Sequence, residues 1–524
     1  METFFILLPI VLACPAFFAA YTHHLHMFQL NSYHFDVELK WMGKNMGQVL
    51  LLLIPGLISA LSSLLVPGSL YWLSGGICAL IMGVLAVYLN YRRVTKKAKK
   101  PLVYTDRVRR MMVTSFVLFS LPLLLLFFLA GGKIALAYAS LIIALMPFYT
   151  LLVNFINKPI ESSVRKHYIN DAKRLLLENR NLKIIGITGS YGKTSVKYYL
   201  TELLSTNYNV LMTPENFNTP MGVVRTVREH LSPLHEIFVC EMGAKRRGEI
   251  KELCDLVHPQ NGVITAVGPQ HLETFGSQEK VRKTKFELAR ALPKDGKVYL
   301  NADSHELMKE ENKGNAVFYS LEGRGDYNGE NIRTGENGTT FTLVHGEERV
   351  EFSTPLIGRH NVLNIVGAIA IAHDFGISYD DLKGAVRRLQ CVPHRLQLID
   401  NGRALIIDDA YNSNPAGAKA ALETLSFFEG YRILVTPGMV ELGAQMAERN
   451  KEFGKQAVGC CDYAVLVGKR QAPPILEGLL EGGFPKEKIF VAENFNEGIA
   501  HAYGLDTEGK RPVILLENDL PDNF

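Results

Sequence analysis

Residues 183–195, K-I-I-G-I-T-G-S-Y-G-K-T-S, decide the fold of the larger part of this 524-residue chain. The apolar beginning predicts a buried strand, the glycines predict a tight loop, and the residues from Lys193 to Leu204 predict a helix. A glycine-rich loop between a strand and a helix lets backbone N–H groups surround an anion, and the helix N-terminus adds partial positive charge. In such a loop Lys193 reaches terminal phosphates and Thr194 can bind magnesium. The stretch therefore predicts an α/β domain with a phosphate site.

The spacing of the glycines in the loop departs from G-x-x-x-x-G-K-[ST], because position 187 is Ile and the useful glycines are Gly189 and Gly192.

Beyond the loop, other polar residues follow the predicted strands in order. Ligands bind at the carboxyl ends of strands in open α/β sheets, and Glu241, His271 and Asn301 fall at or near such ends. Lys285 is predicted to lie on a helix between the last two. Each alone would be interpreted as a solvated polar side chain, but together the four residues indicate one site.

Long apolar runs dominate the chain before residue 156. A helix needs about 20 apolar residues to cross the hydrocarbon core of a membrane. Five runs approach that length: residues 4–20, 49–66, 70–89, 111–130 and 134–156. The first run lacks a basic flank and carries Glu2, so we interpret it as a retained span and not as a secretion signal. The sequence predicts an α-helical membrane domain of five spans.

Charge gives the predicted orientation of these spans. The segment 92–110 holds nine lysines and arginines against the single acid Asp106, and such segments lie on the cytoplasmic side. The N-terminus is then outside and the soluble part inside the cell. The spans carry almost no ionisable residues in their middles, which favours an anchor or a lipid-facing platform over a transporter. Four histidines among aromatic residues in segment 21–41 fit no zinc signature, which favours a membrane-surface helix or loop.

Composition excludes several other classes. Charged residues at 21% with a net charge of +4 exclude a disordered chain and give no case for a dedicated nucleic-acid binder. Seven cysteines without a C-x-x-C pair predict reduced thiols and no structural zinc.

The motifs of the soluble part resemble those of the Mur ligase family, the ATP-dependent amide-forming enzymes of peptidoglycan synthesis. The loop T-G-S-Y-G-K-T-S is similar to that family's T-G-T-x-G-K-[TS]. Further similar motifs follow in the family's order: H-L-E-T-F-G-S at 271–277, T-K-F-E-L at 284–288, N-A-D at 301–303, G-R-H-N-V-L-N at 358–364, P-H-R at 393–395 and D-D-A-Y-N-S-N-P at 408–415. The last form and H-L-E-x-F-G-S look most like the MurF branch, which adds D-alanyl-D-alanine to a UDP-muramoyl tripeptide.

The apolar runs predict a transmembrane domain over 1–158, followed by a connector over 159–182. The resemblance implies the two domains that follow: a central P-loop ATPase domain over 183–390 and a Rossmann-like C-terminal domain over 391–524.

The resemblance also implies a bound ATP and two Mg²⁺ ions. Thr194 and Glu241 would hold one magnesium. His271 and Lys285 would hold the second, Lys285 only after carbamylation by carbon dioxide, since an ammonium group repels a cation. Lys193 would pair with the β and γ phosphates. Further nucleotide contacts would come from Gly189, Ser190, Tyr191, Gly192, Ser195, Asn301, His360, Asn361, Asn364 and, in the C-terminal domain, Arg395 and Asp409. Lys193, His271, Lys285 and Arg395 would act in catalysis, and substrate contacts would come from Asn218, Thr219, Tyr411, Asn412 and Asn414.

Such enzymes join a carboxylate to an amine. The carboxylate attacks the γ-phosphate of ATP, and the amine then displaces phosphate from the acyl phosphate. The family normally begins with a domain that binds the UDP end of the acceptor, and residues 157–182 leave no room for it. We therefore expect the acceptor to be held at the membrane, or to be lipid-linked, or a partner protein to supply recognition.

The identity of the amine is the weakest part of the resemblance. Thr436-Pro437-Gly438-Met439 stands where the family has G-D-M, and Glu517–Phe524 stands where a K-G-S-R loop is expected. D-alanyl-D-alanine is therefore an expectation from the branch alone. Two alternatives stay open: a poly-γ-glutamate synthase-like membrane ligase, and an ATP-driven transporter or nucleotide sensor with a ligase-derived domain. The full set of ligand residues argues against a decayed ligase, and the neutral spans argue against transport.

Overall fold

The computed structural model describes residues 2–66, 77, 80–89, 101–268, 272–311, 313–335, 338–410, 414–440, 442, 445–468 and 472–518. The chain divides into two compact units, Met1–His167 and Tyr168–Pro521.

The first unit is helical. Its helices are α1 (Glu2–Leu30), α2 (Phe35–Lys44), α3 (Met46–Leu65), α4 (Leu80–Leu89), α5 (Asp106–Ala130), α6 (Gly132–Ala144) and α7 (Met146–Glu178). Small residues let α3 and α6 approach closely. The Ser59 and Ser140 hydroxyl oxygens are 2.7 Å apart, and a Cβ on Gly56 would lie 2.5 Å from that of Ala144. Small residues at a helix contact are a common feature of packing in membranes.

Fewer spans are found than the sequence predicts. Among the described residues, two helices, α3 and α5, are long and apolar enough to cross a membrane. Helices α6 and α7 meet at a bend of 87°, and they count as a third span only if the two helices together form one bent span. The predicted run 134–156 is interrupted at Leu145 because Pro147 disfavours continuing α6 into α7. The run 4–20 lies in α1, and the run 70–89 is described only at residue 77 and over α4. The basic residues from 92 to 100 lie outside the described part.

The second unit begins with a nine-stranded sheet in the order β2-β3-β1-β4-β5-β6-β7-β8-β9. Strands β1 to β7 pair in parallel, and β7, β8 and β9 pair antiparallel. The strands are β1 (Lys183–Thr188), β2 (Val210–Met212), β3 (Ile237–Glu241), β4 (Asn261–Ile264), β5 (Val298–Asn301), β6 (Ala316–Ser320), β7 (Tyr327–Gly335), β8 (Gly338–His345) and β9 (Glu348–Thr354). The predicted strand and helix around the glycine loop are confirmed.

Helices cover this sheet. They are α8 (Lys193–Leu204), α9 (Pro220–His230), α10 (Glu249–Val257), α11 (Leu272–Phe275), α12 (Gln278–Lys285), α13 (Glu287–Ala291), α14 (His305–Met308), α15 (Arg359–Asp374) and α16 (Tyr379–Arg388). Strand β1 is an interior strand between β3 and β4, and its Ile185 and Ile187 are fully buried in one core cluster with side chains of α8 and α15. The glycine loop therefore follows a strand that is paired on both sides and buried.

A second sheet of six strands follows, in the order β10-β11-β15-β12-β13-β14. Strand β10 (Gln397–Asp400) is antiparallel to β11 (Leu405–Asp409), and β12 (Tyr431–Thr436), β13 (Tyr463–Val467), β14 (Ile489–Ala492) and β15 (Pro512–Glu517) pair in parallel. Its helices are α17 (Pro415–Ser426), α18 (Met446–Ala457), α19 (Ala472–Glu481) and α20 (Phe495–Tyr503). Both predicted α/β folds are confirmed.

Candidate active site

The loop between β1 and α8 needs glycine at two positions. Gly189 has φ +150°, and a Cβ there would lie 2.1 Å from Thr265 Oγ1. Gly192 has φ +79° and precedes the first residue of α8, and a Cβ there would lie 2.8 Å from Asn364 Oδ1. An L side chain is strained at such φ values and meets neighbours at both positions. The loop therefore follows a narrow path beside α8 and α15.

The loop is tied to the residues that follow β4. Ser190 N donates to the Ala266 carbonyl over 2.7 Å, and Gly268 N donates to Ser190 Oγ over 3.1 Å. The Thr265 hydroxyl donates to the Tyr191 carbonyl. Burial raises the pKa of Tyr191. These bonds fix the loop before any ligand arrives, which lowers the ordering cost of binding.

Lys193 lies at the start of α8 with its amine folded over the loop. Its Nζ donates to the Gly189 carbonyl over 2.8 Å. Exclusion of water lowers the pKa of Lys193, the charge of Glu241 opposes the fall, and the charge of Arg395 adds to it. Thr194 and the buried Ser195 follow in the first turn of α8. The lysine is thus a cation in position to meet an anion bound at the loop.

Glu241 ends β3 and is 1% exposed. Asn218 Nδ2 donates to Oε1 over 3.0 Å, and Lys197 Nζ lies 3.2 Å from Oε2. Burial raises the pKa of the Glu241 carboxyl, but the charges of Lys197 and Lys193 outweigh burial and hold the pKa below its ordinary value. Glu241 is therefore a carboxylate.

Lys285 is the last residue of α12 and is buried. Burial lowers the pKa of its amine to about 7, and the positive charge of Lys193 acts in the same direction. About half of the amine is then neutral at pH 7. Of the two residues expected at a second magnesium, Lys285 is near Lys193, and His271 lies outside the described residues.

The N-terminal turn of α15 carries three of the expected nucleotide contacts. Burial and the charge of Arg395 lower the pKa of His360 to about 4, so the ring is neutral. Its Nδ1 is buried and finds no hydrogen-bond partner in the described part of the chain. Asn361 accepts from the Tyr199 hydroxyl over 2.8 Å and donates to the Ile357 carbonyl over 2.9 Å. Its side chain therefore joins α15 to α8, while Asn364 faces the glycine loop.

Asn301 stands at the end of β5, on the same edge of the sheet. Its Oδ1 accepts from Asp303 N over 2.9 Å, which closes a tight turn after the strand. Its side chain is thereby held in one orientation.

The C-terminal domain contributes Arg395 and Asp409. The charge of Arg395 lowers the pKa of Lys193, of Lys197 and of His360, so its guanidinium is close to the loop and to α15. Asp409 ends β11, and its Oδ1 accepts from Leu396 N over 3.2 Å. Burial raises the pKa of Asp409 to about 6, and Arg395 opposes this rise.

The expected substrate residues separate into two groups. Asn218 contacts Glu241, whereas Thr219 and Asn414 accept from backbone N–H groups and cap α9 and α17. Tyr411 and Asn412 lie outside the described residues. A cavity of about 240 Å³ opens beside the start of α17. Its lining is Pro415, Ala416, Lys419, Met439, Arg449, Glu452, Phe453 and Gln456.

The donor set near Glu241 suits magnesium. Carboxylate and hydroxyl oxygens are the ligands that this ion takes. Glu241 Oε2 is buried, with Lys197 Nζ 3.2 Å away as its ion-pair partner, and Thr194 supplies a hydroxyl in the first turn of α8. Within the described ranges, no group of three or more His, Cys, Asp and Glu side chains able to hold a metal occurs. A two-residue protein site completed by phosphate oxygens and water fits this ion.

Sequence reasoning missed Lys197 and Thr265. Lys197 follows Lys193 by four residues and so lies on the same helix face. That periodicity was the available signal. Thr265 carries no such signal, because its role depends on the approach of the segment after β4 to Gly189.

Comparison with known proteins matches the two α/β domains to two family models. The Mur ligase middle domain matches residues 187–372, and the Mur ligase glutamate ligase domain matches residues 394–516. The UDP-N-acetylmuramoyl-tripeptide--D-alanyl-D-alanine ligase of Escherichia coli K12 is 34% identical over 296 residues, which are 55% of this chain and 65% of that protein. The enzyme of that name from Bacillus subtilis 168 is 36% identical over 281 residues, 53% of this chain and 61% of that protein. The chain thus spans somewhat less than two thirds of the length of these relatives.

Solved structures agree with the sequence comparison. MurF from Acinetobacter baumannii superimposes with a TM-score of 0.62 at 27% identity, over 68% of this chain and 78% of that one. MurF from Thermotoga maritima in complex with ADP superimposes with a TM-score of 0.61 at 27% identity, over 68% of this chain and 80% of that one. The two family models together match more than half of the chain, which belongs to the Mur ligase family and has MurF enzymes among its relatives in sequence and structure.

Proposed function

We propose that this protein is an ATP-dependent, ADP-forming ligase that joins a carboxylate to an amine in peptidoglycan precursor synthesis, as a MurF-like enzyme. The observation that carries the proposal is that four groups from separate elements lie within electrostatic reach of one another: Lys193 at the start of α8, Glu241 at the end of β3, Lys285 at the end of α12 and Arg395 of the C-terminal domain. Phosphoryl transfer to a carboxylate brings two anions together, and cations fixed around them lower that cost.

Each group has a definable role in this reaction. Lys193 and Arg395 bind phosphate oxygens of ATP and orient the γ-phosphate toward the acceptor carboxylate. The loop N–H groups and the α8 N-terminus hold the remaining phosphates. Thr194 and Glu241 would hold one magnesium ion, and carbamylated Lys285 with His271 would hold a second; the ions would supply neutralisation of phosphate charge. Arg395 and Asp409 bring the C-terminal domain to the nucleotide, which keeps water from the acyl phosphate.

We propose in addition that Lys285 is carbamylated. A neutral amine can attack the carbon of CO₂, form an N–C bond and release a proton, which converts a cationic side chain into an anionic one. The pKa of about 7 supports this, because an ordinary lysine is almost wholly protonated at neutral pH. A carbamate in this position could bind a cation, whereas the ammonium form would repel it.

The substrates that we propose follow the names of the relatives: a UDP-linked muramoyl tripeptide as the carboxylate and D-alanyl-D-alanine as the amine. The cavity beside α17 suits a small amine that also carries a carboxylate, because Lys419 and Arg449 supply cations and Glu452 an anion. Arg449 Nη1 donates to Glu452 over 2.9 Å. The charge of Arg449 also opposes the raised pKa of Tyr191, so the cavity is close to the glycine loop.

We also propose that residues 1–158 form a membrane domain, with residues 183–390 and 391–524 as the two ligase domains on the cytoplasmic side. Support comes from the apolar helices α3 and α5 and from the cations at the start of α5. Arg110 makes a bidentate ion pair with Glu161 over 2.7 and 3.0 Å. A membrane domain in the same chain as the ligase would keep the ligase at the membrane that carries a lipid-linked acceptor or a partner that recognises it.

The decisive test is an assay of the detergent-solubilised full chain. We expect ADP and an extended peptide product, detected by mass spectrometry, from ATP, Mg²⁺, UDP-muramoyl tripeptide and D-alanyl-D-alanine. Lys193→Ala should release no ADP. Lipid-linked tripeptide in place of the UDP form tests the membrane acceptor. Glutamate polymers from ATP and glutamate would instead favour a poly-γ-glutamate synthase, and absence of ADP with every acceptor would refute a ligase.

A further inference from the structure

Lys197 is a lysine with no exposed surface in the middle of α8, one turn after Lys193. Its Nζ lies 3.2 Å from Glu241 Oε2 and donates to the Glu215 carbonyl. A lysine this deeply buried needs an opposite charge close by, because desolvation of an unpaired ammonium is very costly. Glu241 is that charge. The ion pair is part of the core of the site and not a surface contact.

The same carboxylate is the one assigned to magnesium. Its Oε1 is held by Asn218, which leaves Oε2 for any other partner. A divalent cation bound at Oε2 would stand beside the Lys197 ammonium, and two cations in a water-poor site repel each other strongly. Lys197 and the metal therefore compete for one oxygen.

We propose that Lys197 is a positioning residue that holds Glu241 when the metal is absent and gives way when a divalent cation binds. The inference rests on the proposed function, since it takes Glu241 as a magnesium ligand. This role explains why the Lys197 ammonium, a positive charge that a metal site does not need, is buried beside the Glu241 carboxylate. The ammonium holds the Glu241 carboxylate in place at 3.2 Å and makes metal binding weak until phosphate oxygens help to hold the ion.

The segment 214–219 would respond to this exchange. Lys197 Nζ donates to the Glu215 carbonyl of this segment. The Asn218 side chain donates to Glu241. The Asn218 backbone carbonyl accepts from Gly243 N over 2.8 Å. Glu215 has φ +40°, an uncommon value for a residue with a Cβ. Moving the ammonium away from Glu241 alters one of these three attachments, the bond from Lys197 to the Glu215 carbonyl. Metal occupancy would thus be communicated to the loop that precedes α9.

Manganese binding to the nucleotide-free full chain tests the competition. The variants are Lys197→Met, which keeps the length and removes the charge, Lys197→Arg, which keeps the charge, and Lys251→Met, a matched control at an exposed lysine paired with Asp255. We expect Lys197→Met to bind Mn²⁺ on the order of tenfold to a hundredfold more tightly than the parent, as measured by electron spin resonance. Lys197→Arg and Lys251→Met should bind like the parent. Equal affinity in Lys197→Met and the parent would overturn the proposal.

Glu241→Gln separates the two levels of the argument. If Glu241→Gln loses Mn²⁺ binding while Lys197→Met is unchanged, the magnesium assignment stands and the role of Lys197 is wrong. If Glu241→Gln binds Mn²⁺ as well as the parent does, the magnesium assignment fails and takes the proposal with it. Lys197→Met should also have a lower melting temperature in EDTA that Mn²⁺ restores, an effect that the Lys197→Met, Glu241→Gln double variant should lack.

A reporter in the segment 214–219 covers the case in which Lys197→Met does not fold. Phe217→Trp leaves Lys197 intact, and the emission of the new tryptophan, obtained as the difference from the parent chain, should change when Mg²⁺ and a non-hydrolysable ATP analogue are added. The change should be absent in Phe217→Trp, Glu241→Gln. A constant emission in the reporter chain under conditions where the parent binds Mg²⁺ would refute the coupling.

Discussion

Removing carbon dioxide and lowering the pH should inactivate this protein through a single side chain, Lys285. The amine is buried, and burial together with the charge of Lys193 lowers its pKa from 10.5 to about 7. Only the neutral amine reacts with CO₂. Acid therefore removes the reactive form, and removal of CO₂ takes away the other reactant.

The magnitude follows from the pKa. About half of Lys285 is neutral at pH 7 and about one tenth at pH 6, whereas an ordinary lysine would be about 0.03% neutral at pH 7. We expect activity in CO₂-depleted buffer to fall about fivefold between pH 7 and pH 6, and added bicarbonate to restore part of it. Stability has the corresponding sign. The unfolded lysine keeps its proton up to about pH 10.5, so between about pH 7 and pH 10.5 the unfolded state binds more protons. Burial of the charged amine therefore lowers stability fully below about pH 7, and this penalty is relieved as pH rises from about 7 to 10.5.

Phosphate release in degassed buffers, with and without bicarbonate, measures the effect. Direct detection uses ¹³C-labelled bicarbonate and the carbamate resonance, which Lys285→Ala should lack. That variant should also regain part of its activity with short-chain carboxylates, which can supply the missing anion. A profile that is flat from pH 6 to pH 8 and unaffected by CO₂, or full activity of Lys285→Ala without a carboxylate, would refute the reasoning.

Three further substitutions test separate parts of the structure. Gly189→Ala should displace the loop and reduce ATP turnover by about 100-fold, because its Cβ would lie 2.1 Å from Thr265 Oγ1, whereas Gly509→Ala, also at positive φ but with open space, should retain activity. Arg449→Ala should raise the KM for the amine about tenfold or more and leave the KM for ATP unchanged, with Lys455→Ala on the outer face of α18 as control. Tyr199→Phe should lower the free energy of unfolding by about 1–3 kcal/mol, because it leaves the side-chain oxygen of Asn361 without its donor. The loss should appear as a lower melting temperature. As a control, Tyr503→Phe at an exposed site should lower the free energy of unfolding by less than about 0.5 kcal/mol. Normal ATP turnover in Gly189→Ala, an unchanged amine KM in Arg449→Ala, or a melting temperature of Tyr199→Phe equal to that of Tyr503→Phe would contradict the respective argument.

The α/β part was predictable because its signals are local. The strand, glycine loop and helix of residues 183–204 follow from hydrophobic pattern and turn chemistry within one short window. Glu241 was predictable from its place after a buried strand, since the carboxyl ends of parallel strands share one edge of the sheet. The register of β1 and β3 bears this out, with Ile187 opposite Glu241.

The features that escaped prediction depend on contacts between distant segments. Asn361 was expected at the nucleotide, but both polar groups of its side chain bond to Tyr199 and Ile357, which only the packing of α15 on α8 brings near. The partnership of Lys197 with Glu241 likewise requires the pairing of β1 with β3. In the helical unit, hydrophobicity predicted the run 134–156 but not its interruption at Leu145. The count of spans is therefore less predictable than the presence of apolar helices.

The charges of the site explain why the two ligase domains would close on a nucleotide. Lys193, Lys197 and Arg395 lie within electrostatic reach of one another, since Arg395 lowers the pKa of both lysines. Glu241 and, above about pH 6, Asp409 neutralise only part of this charge. Without a ligand, the guanidinium from the C-terminal domain therefore faces an excess of positive charge on the loop. A nucleoside triphosphate supplies several negative charges at that point, and it converts the repulsion between the domains into attraction through a shared anion. Binding of the triphosphate therefore supplies the free energy that closes the two ligase domains. The closed site in turn keeps water away from the phosphoryl transfer.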